Sequence, residues 1–301
     1  MPLDELRTLL DRHARPDSTT AVDGVLISKV DRADPPAAAM SGTVLAVIAQ
    51  GAKRLALGDR VYEYGPGQYL VASVDLPVTG QFLQAEPERP ALGFGLTLAP
   101  SAVAELLLQA GPGDIPRAPA GTPPGIAVSD APPALLDAVV RLLRLLDEPR
   151  DLAVLAPLYK REILWRLITG EQGATVRQLG LADSGLSHVS RAVRWIREHY
   201  AQPFRVEDVA RLAGMSVSAF YRNFQAVTAM SPIQFQKQIR LQEARLLLAT
   251  HPGDVTGVGQ RVGYDNPSQF SREYRRQFGV PPSRDAAHLR AAAPAPAGAL
   301  A

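Results

Sequence analysis

The order of apolar and polar positions changes character three times along the chain. In the first hundred residues the apolar runs are short. Thr43 to Ala49 is continuous and partly β-branched, which predicts a strand buried on both faces. Lys53–Leu57 and Arg60–Tyr64 flank Leu57-Gly58-Asp59 and predict a hairpin. Gly65-Pro66-Gly67 is a turn, and Gln68–Val74 a further strand. Strands this closely spaced point to a small sandwich or barrel. Residues 111–133, rich in proline and glycine, read as a loop or strand-poor connection. From 134 the period becomes helical: Leu135, Val139, Leu142 and Leu146 recur on one face, with Leu136, Val140 and Leu143 beside them. Asp147 to Arg150, containing Pro149, breaks the pattern. A second helix is expected from near Pro157 to Gly170. Both apolar faces are wide enough to require a partner, either the body of the protein or a second copy. Residues 171–185 read as a linker, and 291–301, AAAPAPAGALA, as a disordered tail.

The third region, 186–290, repeats itself. Val206, Val209, Ala210 and Ala213 have i, i+3, i+4, i+7 spacing and are followed by Gly214. Val255, Val258, Gly259 and Val262 have the same spacing, followed by Gly263. Each set predicts a short helix ended by a glycine in the left-handed conformation. Beyond the glycine, Ser216 aligns with Asn266, Phe220 with Phe270, Arg222 with Arg272 and Phe224 with Tyr274. Ser216 and Asn266 are N-cap types, and Pro267 suits a first helical turn. The unit is therefore short helix, glycine turn, second helix, present twice. That is the helix-turn-helix arrangement, whose second helix enters the DNA major groove. Ser231-Pro232 opens a helix between the units, running to about Ala249 and about 25 Å long. A strut of that length suits two readers about one DNA turn apart.

Helical geometry sorts the faces. Val217, Phe220 and Phe224 are expected inward in the first unit, and Phe270, Tyr274 and Phe278 in the second. Ser218, Tyr221, Arg222 and Gln225 are left outward, as are Ser268, Gln269, Arg272 and Arg275 or Arg276. An outward Arg can read guanine bidentately and Gln can read adenine. The capped helix starts are expected to offer backbone amides to phosphates.

Charge supports this reading. The net charge is only +2, but residues 187–301 carry fifteen Lys and Arg against eight Asp and Glu, while 1–186 carry seventeen against twenty-two. A basic third on an acidic body suits a polyanion partner. The 301 residues suggest two domains. The absence of cysteine excludes disulfide scaffolds, thiolate zinc sites and cysteine nucleophiles, and fits a reducing cytoplasm. No apolar run is long enough to span a membrane, and the charged start lacks a signal-peptide pattern.

The stretch VEDVARLAGMSVSAFYRNFQAVTAMSPIQFQKQIRLQEARLLL, followed by VGYDNPSQFSREYRRQFGVPP, resembles the DNA-binding domain of AraC-type (AraC/XylS) transcription regulators over about residues 188–285. The family's recurrent positions match here at Ala210, Gly214, Arg222, Pro232, Arg240, Gly263, Phe270, Arg272 and Pro281, among others. Gly259 stands where the family commonly has alanine, a change expected to weaken that helix by up to about 1 kcal/mol and to loosen the second unit. The resemblance implies DNA contacts from Ser218, Tyr221 and Arg222, then from Ser268, Gln269 and Arg272; the capping Ser216 and the outward Arg276 complete the candidate DNA-contact set. The upstream stretch TVLAVIAQGAKRLALGDRVYEYGPGQYLVASVDLPVTGQ resembles the cupin-like N-terminal domain of one subgroup, which implies effector sensing and dimerisation. The implied class is α+β. A cupin-like barrel with dimerisation helices spans 1–185. An all-α domain of two helix-turn-helix units joined by a long helix spans 186–290. The implied protein is a cytoplasmic bacterial regulator, a homodimer on promoter DNA with RNA polymerase as a further partner.

A cupin-like barrel also invites an enzymatic reading. Metal-dependent cupins hold a cluster of His with Glu on barrel strands. The histidines here are His13, His188, His199, His251 and His288, none on the expected strands. No metal, cofactor or catalytic residue is therefore expected. Tyr62, Tyr64 and Tyr69 are the candidate contacts to an effector of unknown identity, with Lys53, Arg54 and Arg60 available to an anion. A cupin-type enzyme with a DNA-binding appendage and an architectural DNA binder without effector are the competing readings.

Overall fold

The computed structural model describes residues 2–33, 35–111, 113–117, 121–181, 184–251 and 253–292. The short apolar runs become β1 (Val25–Val30), β2 (Ala37–Met40), β3 (Val44–Gln50), β4 (Lys53–Leu57), β5 (Arg60–Tyr64), β6 (Gln68–Ala72), β7 (Pro77–Phe82), β8 (Ala91–Thr97) and β9 (Ile126–Asp130). They pair antiparallel into two facing sheets, ordered β1-β8-β3-β6-β9 and β2-β7-β4-β5. The β4–β5 hairpin has the expected bounds, with Leu57 opposite Arg60. Its two-residue loop begins with Gly58 at φ +60°, a conformation that fits the strand twist and is cheap only for glycine. The ladders do not close into one barrel. The architecture is a cupin-like pair of sheets.

Alternation along the strands divides the first sheet's two faces. Leu45, Val47 and Ala49 of β3, Tyr69 and Val71 of β6, and Phe94 and Leu96 of β8 face a helical layer. That layer is α1 (Pro2–His13), α2 (Pro100–Gln109), α3 (Pro133–Arg144), α4 (Leu152–Thr169) and α5 (Gly173–Leu179). Ile48, Leu70 and Ala72 face the other way, toward Leu55, Leu57, Tyr64 and Val78 of the second sheet.

Four expectations change here. Residues 111–133 are not strand-poor throughout. Ile126–Asp130 is a strand, because its β-branched residues find the edge of β6. The helix expected from Pro157 begins at Leu152 instead. Pro157 removes one amide from the helix interior, but it and Ala153 lie on the outer face, where water can take the freed carbonyl. The stretch 171–185 is not a free linker, since α5 lies in it with Thr175, Val176 and Arg177 buried. The α3 stripe is spent inside the molecule: Leu135 and Leu142 are fully buried, and α3 packs on α1 and α4. Of the expected tail, residues 291 and 292 finish α12, and 293–301 lie outside the described residues.

The C-terminal region is α6 (Gly185–Glu198), α7 (Val206–Leu212), α8 (Val217–Thr228), α9 (Pro232–Thr250), α10 (Val255–Arg261), α11 (Pro267–Phe278) and α12 (Pro282–Ala292). Its two halves have different cores. Val189, Ile196, Val209, Phe220, Phe224 and Phe235 join the apolar cluster that fills the space between the sheets. Leu248, Val258, Phe270 and Tyr274 form a separate one. Polar contacts tie the sheets to the first half. The Gly125 amide donates to the Val227 carbonyl at 3.0 Å, Thr122 donates to Asn223 at 3.1 Å, and Arg197 pairs with Asp75.

Candidate nucleic-acid interface

The duplicated sequence gives duplicated geometry. The Met215 amide donates to the Ala210 carbonyl and the Tyr264 amide to the Gly259 carbonyl, each at 2.9 Å. These are equivalent six-to-one closures over Gly214 (φ +73°) and Gly263 (φ +90°). A methyl on Gly263 would sit 2.1 Å from the Ala201 carbonyl oxygen, so no other residue fits. The two second helices, α8 and α11, are each twelve residues long. Ser216 caps α8 by accepting the Ala219 amide at 3.4 Å. Asn266 caps α11 by accepting the Ser268 and Gln269 amides at 2.9 and 3.1 Å.

All eight candidate DNA-contact residues are exposed: Ser216, Ser218, Tyr221 and Arg222 on the first unit, Ser268, Gln269, Arg272 and Arg276 on the second. Phe220, Phe224, Phe270 and Tyr274 are buried beneath them, in ring contact at 5.3 Å in the first pair and 5.6 Å in the second. Val217, expected inward, is 37% exposed, because a first-turn residue overhangs the turn rather than the core. Arg275 and Arg276 are both exposed. Among the described residues no carboxylate lies within ion-pair distance of Arg222, Arg272, Arg275 or Arg276, so these cations face solvent unneutralised. Only one of the two helix starts keeps first-turn amides free for the expected phosphate contact. Pro267 has no amide and Asn266 occupies the next two, whereas Val217 and Ser218 keep first-turn amides that helix geometry leaves without an intrahelical acceptor.

Two supports were not legible in the sequence. Arg240, in the middle of α9, donates to the carbonyls of Tyr200 (2.7 Å), Ala201 (3.2 Å) and Gly263 (2.7 Å). One side chain thus ties the end of α6 to the turn of the second unit. Glu273, on the inner flank of α11, accepts from Lys237 (2.7 Å), Tyr264 (2.8 Å) and Gln269 (3.3 Å). Burial works against its charge, but these donors outweigh it and hold the carboxyl below the usual glutamate range. The spacing of single polar residues carries no signal for such convergence. Gly259 also changes meaning. A methyl there would lie 3.1 Å from the Phe270 ring, so the glycine lets α10 lie close on α11.

In the N-terminal half the three candidate tyrosines do not converge. Tyr62 and Tyr64 share one face of β5, toward the space between the sheets, where burial raises the Tyr64 phenol above its usual range. Tyr69 faces the helical layer on the other side of the first sheet, beside Ser129 and Gln172. Alternation along β6 fixes this, since Leu70 and Ala72 take the inward positions. Among the described residues no group of three or more His, Cys, Asp or Glu is placed to hold a metal ion.

Two exposed readers on one frame define a double helix-turn-helix protein. A family model described as AraC-type transcriptional regulator N-terminus matches residues 21–175, and one described as a helix-turn-helix domain matches 209–287. The chain belongs to the AraC-type transcriptional regulators. It is 29% identical over 161 residues to the transcriptional regulator ExsA of Pseudomonas aeruginosa, covering 54% of this chain and 57% of that one. It is 39% identical over 100 residues to a probable thc operon regulatory protein of Rhodococcus erythropolis, covering 32% and 30%. The transcriptional activator RhaS of Klebsiella pneumoniae is 28% identical over 121 residues, covering 39% and 42%. The matches thus span well under two thirds of these relatives. The fold is like that of unsaturated fatty acid-bound ToxT of Vibrio cholerae, with a TM-score of 0.50 and 11% identity over 87% of this chain and 94% of that one.

Proposed function

We propose that this protein is a one-component transcription regulator that reads two adjacent major-groove segments of promoter DNA through α8 and α11. The observation that carries the proposal is the equivalence of Arg222 and Arg272. They lie at matching positions of equal-length helices, both exposed and both without an ion-pair partner among the described residues. Ser216, Ser218 and Tyr221 flank the first. Ser268, Gln269 and Arg276 flank the second. The N-terminal domain senses a small molecule and biases the DNA-bound geometry. ToxT, which shares the fold, has been crystallised with a fatty acid. Activation through RNA polymerase follows the relatives named as activators. The protein works in the cytoplasm without a catalytic step or a cofactor. Its homodimer contact lies on the outer face of α4, where Val154 (68%) and Leu158 (55%) are exposed.

Footprinting on the DNA upstream of the protein's own gene, over a salt series, is the test. About two helical turns should be protected per protomer, with protection falling steeply as salt rises. On that site Arg222→Ala and Arg272→Ala should each cost about 1–3 kcal/mol. Equal binding by wild type and both variants would remove the base-reading role.

A further inference from the structure

A cleft of about 590 Å³ lies between α2 and α4, over the start of β1 and the end of β8. It is on the helical side of the first sheet, away from the second sheet. Leu96, Leu106 and Leu164 form its floor, each nearly buried in the core of the helical layer. Its walls carry short side chains, Ala99 and Ala102 at the start of α2 and Pro157 on α4, so the space above the floor stays open. The opposite flank of α2 is packed tight: a methyl on Gly180 would lie 2.6 Å from the Ala104 amide nitrogen. The volume falls within the range of about 300–1,000 Å³ usual for small-molecule sites.

The charged groups around the mouth are spent on the protein itself. Lys160 donates to the Asp23 carbonyl, and Arg161 donates to Glu105 at 3.0 Å and to Gln109. Each of these bonds runs from α4 to the opposite wall. The ionisable groups that line the cleft, Asp23, Glu105, Lys160 and Arg161, sum to zero charge, and Asp23 is exposed at the rim. A charged ligand would lay its charge against an apolar floor without a free counter-ion beside it, a cost that a neutral ligand avoids. One polar group is left to receive a ligand. The Thr97 hydroxyl lines the cleft and has no hydrogen-bond partner among the described residues.

We propose that the α2–α4 cleft takes a neutral apolar molecule bearing one hydroxyl or carbonyl group, its body on Leu96, Leu106 and Leu164 and its polar group at Thr97. The site has a consequence for association. Leu158 lines the cleft and is also exposed on the outer face of α4 with Val154, which lies outside the cleft. An occupant therefore extends that apolar face and strengthens a dimer formed on it. This consequence, unlike the site, rests on the α4 dimer contact proposed above.

The full-length protein and probes of one chain length test this. Octanol at sub-millimolar concentration should raise the melting temperature by a few degrees, and sodium octanoate and octylammonium chloride should not. Ala102→Trp, which fills the cleft, should abolish the shift, and Thr97→Val should reduce it. An octanol carrying a photoreactive diazirine should label peptides that hold Leu106 and Leu164, and excess octanol should suppress the label; this readout needs no variant. Val154→Glu disrupts the dimer contact from outside the cleft and should keep the shift. A shift that Ala102→Trp retains, label confined to the space between the sheets, or equal stabilisation by octanoate overturns the proposal. So does a shift lost in Val154→Glu, which would make a second copy the occupant. In sedimentation octanol should move wild type toward dimer. Occupancy without that change supports the site and removes its link to association. A wild type that stays monomeric throughout overturns the dimer contact alone.

Discussion

Gly259 and Gly263 stand four residues apart in the second unit and are constrained by different things. Gly263 is held by its backbone: φ +90° and a carbonyl 2.1 Å from where a methyl would go. Gly263→Ala should destabilise the protein by more than about 3 kcal/mol in urea unfolding. Gly259 is held only by the Phe270 ring at 3.1 Å. There the helix-propensity gain of about 1 kcal/mol opposes the strain of pressing on the ring, so Gly259→Ala should change stability by under about 1 kcal/mol. Equal losses for both variants would contradict this division. Glu273 gives a pH signature. Its carboxyl is held below the ordinary value of 4.5, so its contribution is complete above that pH and is lost as pH falls through the folded-state value. Glu273→Gln should cost about 1 kcal/mol at pH 7. The gap in melting temperature between wild type and variant should close as the solution is acidified below 4.5. A gap independent of pH would mean the carboxylate's charge is not what holds α11.

At the scale of elements, the β4–β5 hairpin and the two helix-turn-helix units were legible because each is set by local rules: two-residue periodicity around a glycine turn, and helical periodicity ended by glycine. The outward residues of α8 and α11 followed from the same periodicity. What was not legible depends on contacts distant in sequence. The strand at Ile126 exists because β6 has a free edge, and α5 is ordered because α2 and α4 cover it. Arg240 and Glu273 act through groups brought together only by folding. The α3 stripe was read as either core or dimer contact, and its packing on α1 and α4 decides for core. The dimer contact is therefore proposed for the first turns of α4, where Ala153, Val154, Pro157 and Leu158 are exposed together. Leu158→Glu should shift the protein from dimer to monomer in sedimentation while leaving its melting temperature nearly unchanged. Leu142→Ala, by contrast, should cost about 2–5 kcal/mol of stability. A dimer that survives both Leu158→Glu and Val154→Glu would place the contact elsewhere.

In the whole molecule the apolar cores do not follow the boundary between the N-terminal and DNA-binding domains. The space between the sheets and the core of the first helix-turn-helix unit form one cluster, and the second unit keeps its own. The N-terminal domain thus grips the first helix-turn-helix unit and leaves the second attached through α9. The joint is narrow at Gly125, whose amide donates to the Val227 carbonyl near the end of α8. A methyl at that position would lie 2.5 Å from the same carbonyl oxygen and 3.0 Å from Leu76, and a backbone oxygen in a helix cannot step aside. Gly125→Ala should therefore force the end of α8 away from the sheets and open the shared core at this joint. Calorimetry is the measurement. Wild type should unfold with its sensor and first reader in a single cooperative transition, because they share a core, and the variant should split that transition in two. Arg222 and Arg272 lie on the outward faces of their helices, so the variant's affinity for the footprinted site should stay within a few-fold of wild type. Any effector dependence should be lost, since a ligand bound by the N-terminal domain then has no packed element through which to act on α8. A variant that melts as one unit and keeps its effector response would show that the signal travels by another route, through α5 and α6.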